Sequence, residues 1–333
     1  MLELRNLRLN PGSTPIDHEF PAGTISVVLG RNFSGKTRLA RMIAGLEPDC
    51  AGELLLAGES INALAPGARP ISLVYQAFVN YPTWTVFRNI ASPLLARKRP
   101  RGETRARVEE IAEKLELTAL LDRLPHTLSG GQQQRVAIGR ALAKEARVLV
   151  MDEPLVNLDY KLREALQLEL RDLLHSSDLC VIYTTSDPRD AFALADSVLL
   201  LCDHELLQSG PPLEVYQRPA SPAAADLMSD PGINRLQTRG RLQVVRPEHL
   251  HLEQAEHDDV AFEVTVTGFE TNGSETFLHC SVQGEDWVAR LDGLQQFERG
   301  SRQLLYVSAG SVHEFPAELP GIEAVDPEAL RHG

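Results

Sequence analysis

Residues Gly30-Arg31-Asn32-Phe33-Ser34-Gly35-Lys36-Thr37 fit the pattern G-x-x-x-x-G-K-[ST]. This pattern works only where a buried strand runs into a loop and the loop opens a helix, and both flanks meet that demand. The apolar run Ile25 to Leu29 precedes the loop; after it Leu39, Met42, Ile43 and Leu46 recur at helical spacing, with Gly45 and Pro48 as stop signals. Successive backbone N–H groups of such a loop point inward and, with the helix N-terminus, make an anion site suited to phosphates. Lys36 is expected to reach the β and γ phosphates. Thr37 is expected to offer its hydroxyl to Mg²⁺, a hard cation commonly shared between protein oxygens and phosphate.

A second buried strand, Arg147 to Met151, runs into two carboxylates, Asp152 and Glu153. At the end of a parallel strand Asp152 is expected to hold Mg²⁺ through water, and Glu153 to polarise the water that attacks the γ-phosphate. Further apolar runs (Glu53 to Ala57, Ile71 to Tyr75, Cys180 to Thr184) alternate with helical patterns. One carries Val108, Ile111, Leu115 and Leu117 on a single face; another carries Leu162, Leu166, Leu170 and Leu173. Buried strands alternating with helices predict an α/β fold with a largely parallel sheet. Leu2 to Leu9 reads as an N-terminal strand, with charges where a signal peptide would be apolar. A cytoplasmic setting is therefore expected.

The chain has 333 residues, about two domains at roughly 150 residues each, and its 43% apolar content suffices for buried cores. Pro211, Pro212, Pro219, Pro222, Pro231 and Gly232 mark a composition shift that places the domain boundary near residue 232. Beyond it, short alternating segments separated by Asn-Gly, Gly-Glu and Asp-Gly turns predict a small all-β barrel over 233–333. The net charge of −13 is the wrong sign for a protein that holds nucleic acid by counterion release. Cys50, Cys180, Cys202 and Cys280 form no CxxC pair, and no run approaches the ~20 apolar residues of a membrane helix. The basic run from Arg97 to Arg101 reads as a solvated loop, and His249 with His251 lacks a third metal ligand.

Leu128-Ser129-Gly130-Gly131-Gln132-Gln133-Gln134-Arg135 narrows the class. Ser129 and two glycine N–H groups at a helix start make a second anion cradle. In company with the loop and the carboxylates, this segment resembles the signature of ATP-binding-cassette proteins. The resemblance extends over nearly the whole chain. It implies a P-loop cassette over 1–232 with a helical subdomain at about 77–135, and an OB-like regulatory domain after it. It also implies ATP and Mg²⁺ as ligands, with Gly30 to Thr37, Ser129, Gly130, Gly131, Gln132 and Asp159 contacting nucleotide. Thr37, Gln76 and Asp152 are implied at the metal, and Glu153, Gln76 and the residue at position 186 in catalysis. In such a family two cassettes close head to tail and drive two separate membrane permease subunits, served by a substrate-binding protein. The chain would then sit peripherally on the cytoplasmic face of the plasma membrane.

Asn157-Leu158-Asp159-Tyr160-Lys161-Leu162-Arg163, Ala195-Asp196 and Arg246-Pro247-Glu248-His249 resemble the ATPases of carbohydrate and polyol importers. Gln76 to Pro82 and Thr184 to Pro188 look closest to a cassette of the two-ATPase glycerol or glycerol-3-phosphate group. Two departures stand out. Ser186 falls where the family carries a switch histidine, and Pro11 falls near the place where it stacks an aromatic on adenine. The altered half-site with an intact signature favours a heterodimer with a second cassette; the alternatives are a nucleotide-binding regulatory subunit with little hydrolysis of its own and, after it, a non-transport ABC ATPase. The apolar segment Phe78, Val79, Tyr81, Pro82, Trp84 and Phe87 is expected to divide between core and a groove for a helix of the membrane partner. Only ten residues separate Leu236 from Pro247, so an incomplete barrel is expected.

Overall fold

A computed structural model describes residues 1–47, 51–77, 79–158, 160–175, 177–238 and 240–316, with the side chains of Tyr160 and Leu162 excepted. Cys50, Phe78, Asp159 and the Leu162 side chain lie outside the described residues. The chain divides into two compact units, Met1–Leu227 and Met228–Gly333.

The N-terminal unit holds two sheets. The smaller is built from β1 (Leu2–Arg8), β2 (Ile16–Phe20), β4 (Ala51–Leu56) and β5 (Glu59–Ser60), antiparallel in the order β2-β1-β4-β5. Simple alternation along β1 fails after Leu4: the register shifts between Leu4 and Leu7, with Asn6 at φ 48°. A bulge of this kind adds one residue. It returns Leu7 and Leu9 to the face that buries Leu2 and Leu4.

The larger sheet contains β3 (Ile25–Leu29), β6 (Ile71–Val74), β7 (Val148–Asp152), β8 (Cys180–Thr185), β9 (Ser197–Cys202) and β10 (Glu205–Gly210), in the order β10-β9-β3-β8-β7-β6. Its strands are parallel except β10, which returns antiparallel at the edge. Every residue of β3, β7 and β8 is buried, as expected for strands covered on both faces. Helix α1 (Lys36–Ala44) lies between the sheets, where Leu39, Met42 and Ile43 join Leu4, Val28, Val150 and Ile182 in one core.

Helices α2 (Val86–Ala96), α3 (Arg101–Lys114) and α4 (Gly130–Ala143) form the helical region. They approach closely at Gly139, where a Cβ would lie 3.1 Å from Leu115 and 3.3 Å from both Ile111 and Ile90. Asn89, fully buried in α2, donates to the carbonyls of Tyr81, Trp84 and Thr85 and accepts from the Tyr81 N–H at 2.8 Å. It holds the segment before α2 in place. Asn89→Ala strands these groups and is expected to cost about 2 kcal/mol, read as a lower denaturation midpoint in urea.

Helix α5 (Tyr160–His175) buries Leu166, Leu170 and Leu174, while Leu173 is half-buried. The strict i, i+4 spacing therefore replaces the expected step to Leu173. Helices α6 (Pro188–Leu194), α7 (Pro212–Gln217) and α8 (Pro222–Leu227) complete the unit.

The second unit contains β11 (Asn234–Thr238), β12 (Arg241–Val245), β13 (Val260–Thr271), β14 (Glu275–Val282), β15 (Glu285–Asp292), β16 (Arg302–Val307) and β17 (His313–Pro316). They form sheets of order β11-β12-β17 and β15-β14-β13-β16. The short stretch between Leu236 and Pro247 completes the hairpin β11–β12, paired from Asn234↔Val245 to Thr238↔Arg241. Trp287 anchors this unit: it is 1% exposed, packs its ring at a tilt against Phe262 with centroids 4.8 Å apart, and donates to the Arg235 carbonyl at 2.9 Å. Among the described residues, side chains grouped closely enough for a metal are Glu256, Asp258 and Asp259; His249 and His251 are not among them.

Candidate functional site

The phosphate-type loop leaves β3 at its C-terminal end. Gly30 cannot carry a Cβ, which would run into the Ser34 side chain and the Leu201 carbonyl. Gly35 ends the loop as the N-cap of α1 at φ 103°, in the region that favours glycine. Lys36 is only 4% exposed; its ammonium donates to the carbonyls of Gly30 at 2.8 Å and Arg31 at 2.9 Å, and pairs with Glu153 Oε1 at 3.2 Å. The Ser34 hydroxyl is buried without a hydrogen-bond partner. A buried orphan hydroxyl beside a lysine and a helix N-terminus is what an anion would satisfy.

Across the sheet, Thr37 Oγ1 donates to Asp152 Oδ1 at 3.1 Å, and Thr184 donates to the same oxygen at 2.7 Å. Glu153 leaves β7 at φ 45°, an uncommon conformation for a non-glycine residue, with its N–H on the Thr184 carbonyl at 3.1 Å. This turn aims its carboxylate back at Lys36. A cavity of about 550 Å³ is lined by Asn32 to Arg38, Gln76, Glu153 and His204. Gln76 follows β6, and its carbonyl accepts from Asn157 at 3.0 Å, which ties it to the segment after the carboxylates. The hard oxygens of Thr37 and Asp152, with Gln76 on the same cavity, suit Mg²⁺.

Ser186 is exposed at the C-terminal end of β8 and does not line this cavity. The residues around it are held firmly by Asp190, which is 1% exposed in α6. Asp190 accepts from Arg163 at 2.7 Å, Thr185 at 2.5 Å, Tyr183 at 3.4 Å, and Gln167. Burial and the Asp190 charge push the Tyr183 hydroxyl well above its usual range. Burial opposes the charged form of Asp187, yet its contacts with Arg189 and Arg163 hold its carboxyl below the usual range. Sequence reasoning missed this cluster because its members come from three separate elements.

Ser129 also lies away from the loop cavity. It is the N-cap of α4 in a reciprocal capping box: its hydroxyl accepts from the Gln132 N–H, and its own N–H donates to Gln132 Oε1 at 3.1 Å. Gly130 and Gly131 begin the helix, so their N–H groups belong to its unpaired first turn. Pro11 is exposed in the turn between β1 and β2.

The apolar segment before α2 is mostly outside the core. Val79 and Tyr81 are about half exposed, Trp84 and Phe87 half-buried. Tyr81 stacks on Trp84 at 4.4 Å, with Arg88 and Arg140 over the two rings. Tyr81, Trp84, Pro93 and Arg140 line a groove of about 410 Å³.

Comparison with known proteins gives family matches, relatives and a solved structure. Residues 14–156 match the ABC transporter family and residues 244–315 match the TOBE domain. The chain is 36% identical to the sn-glycerol-3-phosphate import ATP-binding protein UgpC of Cupriavidus metallidurans, across 95% of this chain and 97% of that protein. It is 34% identical to the alpha-glucoside transport ATP-binding protein AglK of Rhizobium meliloti, across 94% and 97%. Among solved structures, cbiO1 from Clostridium perfringens, part of the ABC transporter complex cbiONQ, superposes with a TM-score of 0.60 at 24% identity, covering 65% of this chain and 90% of that one.

Proposed function

This chain belongs to the ATP-binding subunits of ABC transporters, and from that membership we propose that it couples ATP hydrolysis to import of a carbohydrate or polyol, glycerol 3-phosphate being favoured. The observation that carries the reading is the convergence of Lys36, Thr37, Asp152, Glu153 and Gln76 from two strand ends and one helix start. ATP, when bound, supplies the phosphoanhydride bond that water cleaves to ADP and phosphate. Lys36 neutralises the terminal phosphate charge, and Thr37 with Asp152 holds Mg²⁺. Glu153 accepts the proton of the attacking water, and this is catalysis by positioning and electrostatics. The Asn157–Gln76 bond ties the carboxylate side of the site to the chain that leads into α2.

Among the described residues no helix is long and apolar enough to cross a membrane. On the family membership, work is delivered through separate permease subunits, with the chain held peripherally at the cytoplasmic face. The groove beside Tyr81 and Trp84 takes a short helix of a permease subunit, and a binding protein presents the cargo on the far side. Purified chain combined with its neighbouring permease subunits in vesicles is expected to hydrolyse ATP faster when the cargo-loaded binding protein is present. Turnover indifferent to the loaded binding protein overturns the coupling.

The cassette pairs with a second, different cassette. Ser186 supports this: an exposed alcohol, shorter than a histidine and never cationic, cannot provide an imidazole's long-range donor to the γ-phosphate. A partner carrying its own histidine completes a competent site against this chain's Ser129, Gly130 and Gly131. Asp159 is assigned to the contact between cassettes on the family resemblance alone.

A further inference from the structure

The structure assigns the base-facing wall of the nucleotide site to His204, in the turn between β9 and β10; the assignment rests on the ATP reading above. The sheet order sets the direction of the nucleotide. Glu153 and Gln76 follow β7 and β6, on one side of β3, while His204 follows β9 on the other side. The reactive phosphate belongs beside Lys36 and Glu153, so the base extends towards the β9–β10 turn.

That wall is built. His204 adopts φ 68°, uncommon for a residue other than glycine, and its N–H donates to the Ser34 carbonyl at 3.0 Å. Its ring packs directly over the start of α1: a Cβ on Gly35 would lie 3.0 Å from His204 Cδ2 and 3.1 Å from Leu9 Cδ1. The neighbouring Glu205 accepts from Thr14 Oγ1 at 2.8 Å, which fastens the turn to the loop between β1 and β2. Arg38 lines the same cavity, donates to Asn10 at 2.8 Å, and keeps a buried Nε–H without a partner, a donor available to a base edge. The β1–β2 turn itself presents Pro11, which has no π face.

Two rings line the cavity, His204 and Phe33. Phe33 is 94% exposed at the loop's tip, whereas His204 is half-buried against Gly35. The imidazole therefore stacks on the purine in place of an aromatic from the β1–β2 turn.

The test is calorimetric titration of the purified full chain with MgATP and with magnesium tripolyphosphate, which has the phosphates but no base. His204→Gly removes the ring while suiting the positive φ, so folding is retained. ATP affinity is expected to fall about 5- to 150-fold, the span of one base–aromatic stack, with tripolyphosphate affinity unchanged and ATP affinity regained in His204→Trp. Unchanged ATP binding in His204→Gly, an equal loss for tripolyphosphate, or a loss seen only in Phe33→Ala overturns the assignment. If the unmodified chain binds tripolyphosphate but shows no preference for ATP, the base has no wall here; if it binds neither, the ATP reading itself fails and the assignment with it.

Discussion

Ser129→Arg is expected to lower ATP turnover of the assembled pair of cassettes by about 10²- to 10³-fold, the scale of losing a preorganised anion-binding group. The substitution removes the hydroxyl that caps α4 and puts a cation at the positive end of the helix dipole. Loss of the cap alone costs roughly 1 kcal/mol, too little to unfold the cassette. ATP binding by the isolated chain is expected to be unchanged, because Ser129 does not line its own loop cavity. On the proposed pairing Glu153→Gln is expected to leave most of the turnover, the partner's carboxylate serving the competent site while Glu153 serves this chain's own, slower one. Steady-state phosphate release from the co-purified pair decides the matter. If Ser129→Arg is silent while Glu153→Gln abolishes turnover, the division of labour is reversed and this chain's own site does the hydrolysis.

Asp190→Ala is expected to destabilise the N-terminal unit by about 3–5 kcal/mol, because it removes one partner of a buried ion pair. Arg163 retains Asp187 at 3.1 Å, but Thr185, Tyr183 and Gln167 lose an acceptor in a region where water does not replace it. For a unit of this size, roughly 2–4 °C per kcal/mol converts that loss to a melting shift of about 10 °C. Asp190→Asn is expected to recover part of it: its carbonyl still accepts, but its charge is gone and its amide donates. A melting curve indistinguishable from that of the unmodified chain overturns the role assigned to Asp190. The consequence reaches the site, since Thr185 and Asp187, on either side of Ser186, are held by this cluster.

The loop from Gly30 to Thr37 and the pair Asp152–Glu153 were legible because each is contiguous and carries a local requirement. A glycine is needed where a Cβ would collide, and carboxylates follow a fully buried strand. Other parts were not legible for equally physical reasons. The bulge in β1 moves Leu7 and Leu9 to the face of Leu2 and Leu4, and a strict period of two assigns them to the opposite one. The hairpin β11–β12 needs only a short turn, so the ten residues after Leu236 suffice to complete it, a pairing that their length alone did not reveal. His204 had one local sign, a non-glycine pair Asp203-His204 in a two-residue hairpin turn, both at positive φ. Nothing in sequence order places that turn against Gly35.

By itself the sequence determined the cassette class, the phosphate-binding loop, the carboxylates that face it and the β-rich second unit, because each depends on neighbours within a few residues. Only the tertiary structure decided which distant groups share a space. The parallel order of β9, β3, β8 and β7 sets His204 and Glu153 on opposite flanks of one loop, and it gathers α5, β8 and α6 around Asp190. Those encounters are fixed by strand order and helix packing, which bring Thr37 to Asp152 across 115 positions and Arg163 to Asp190 across 27.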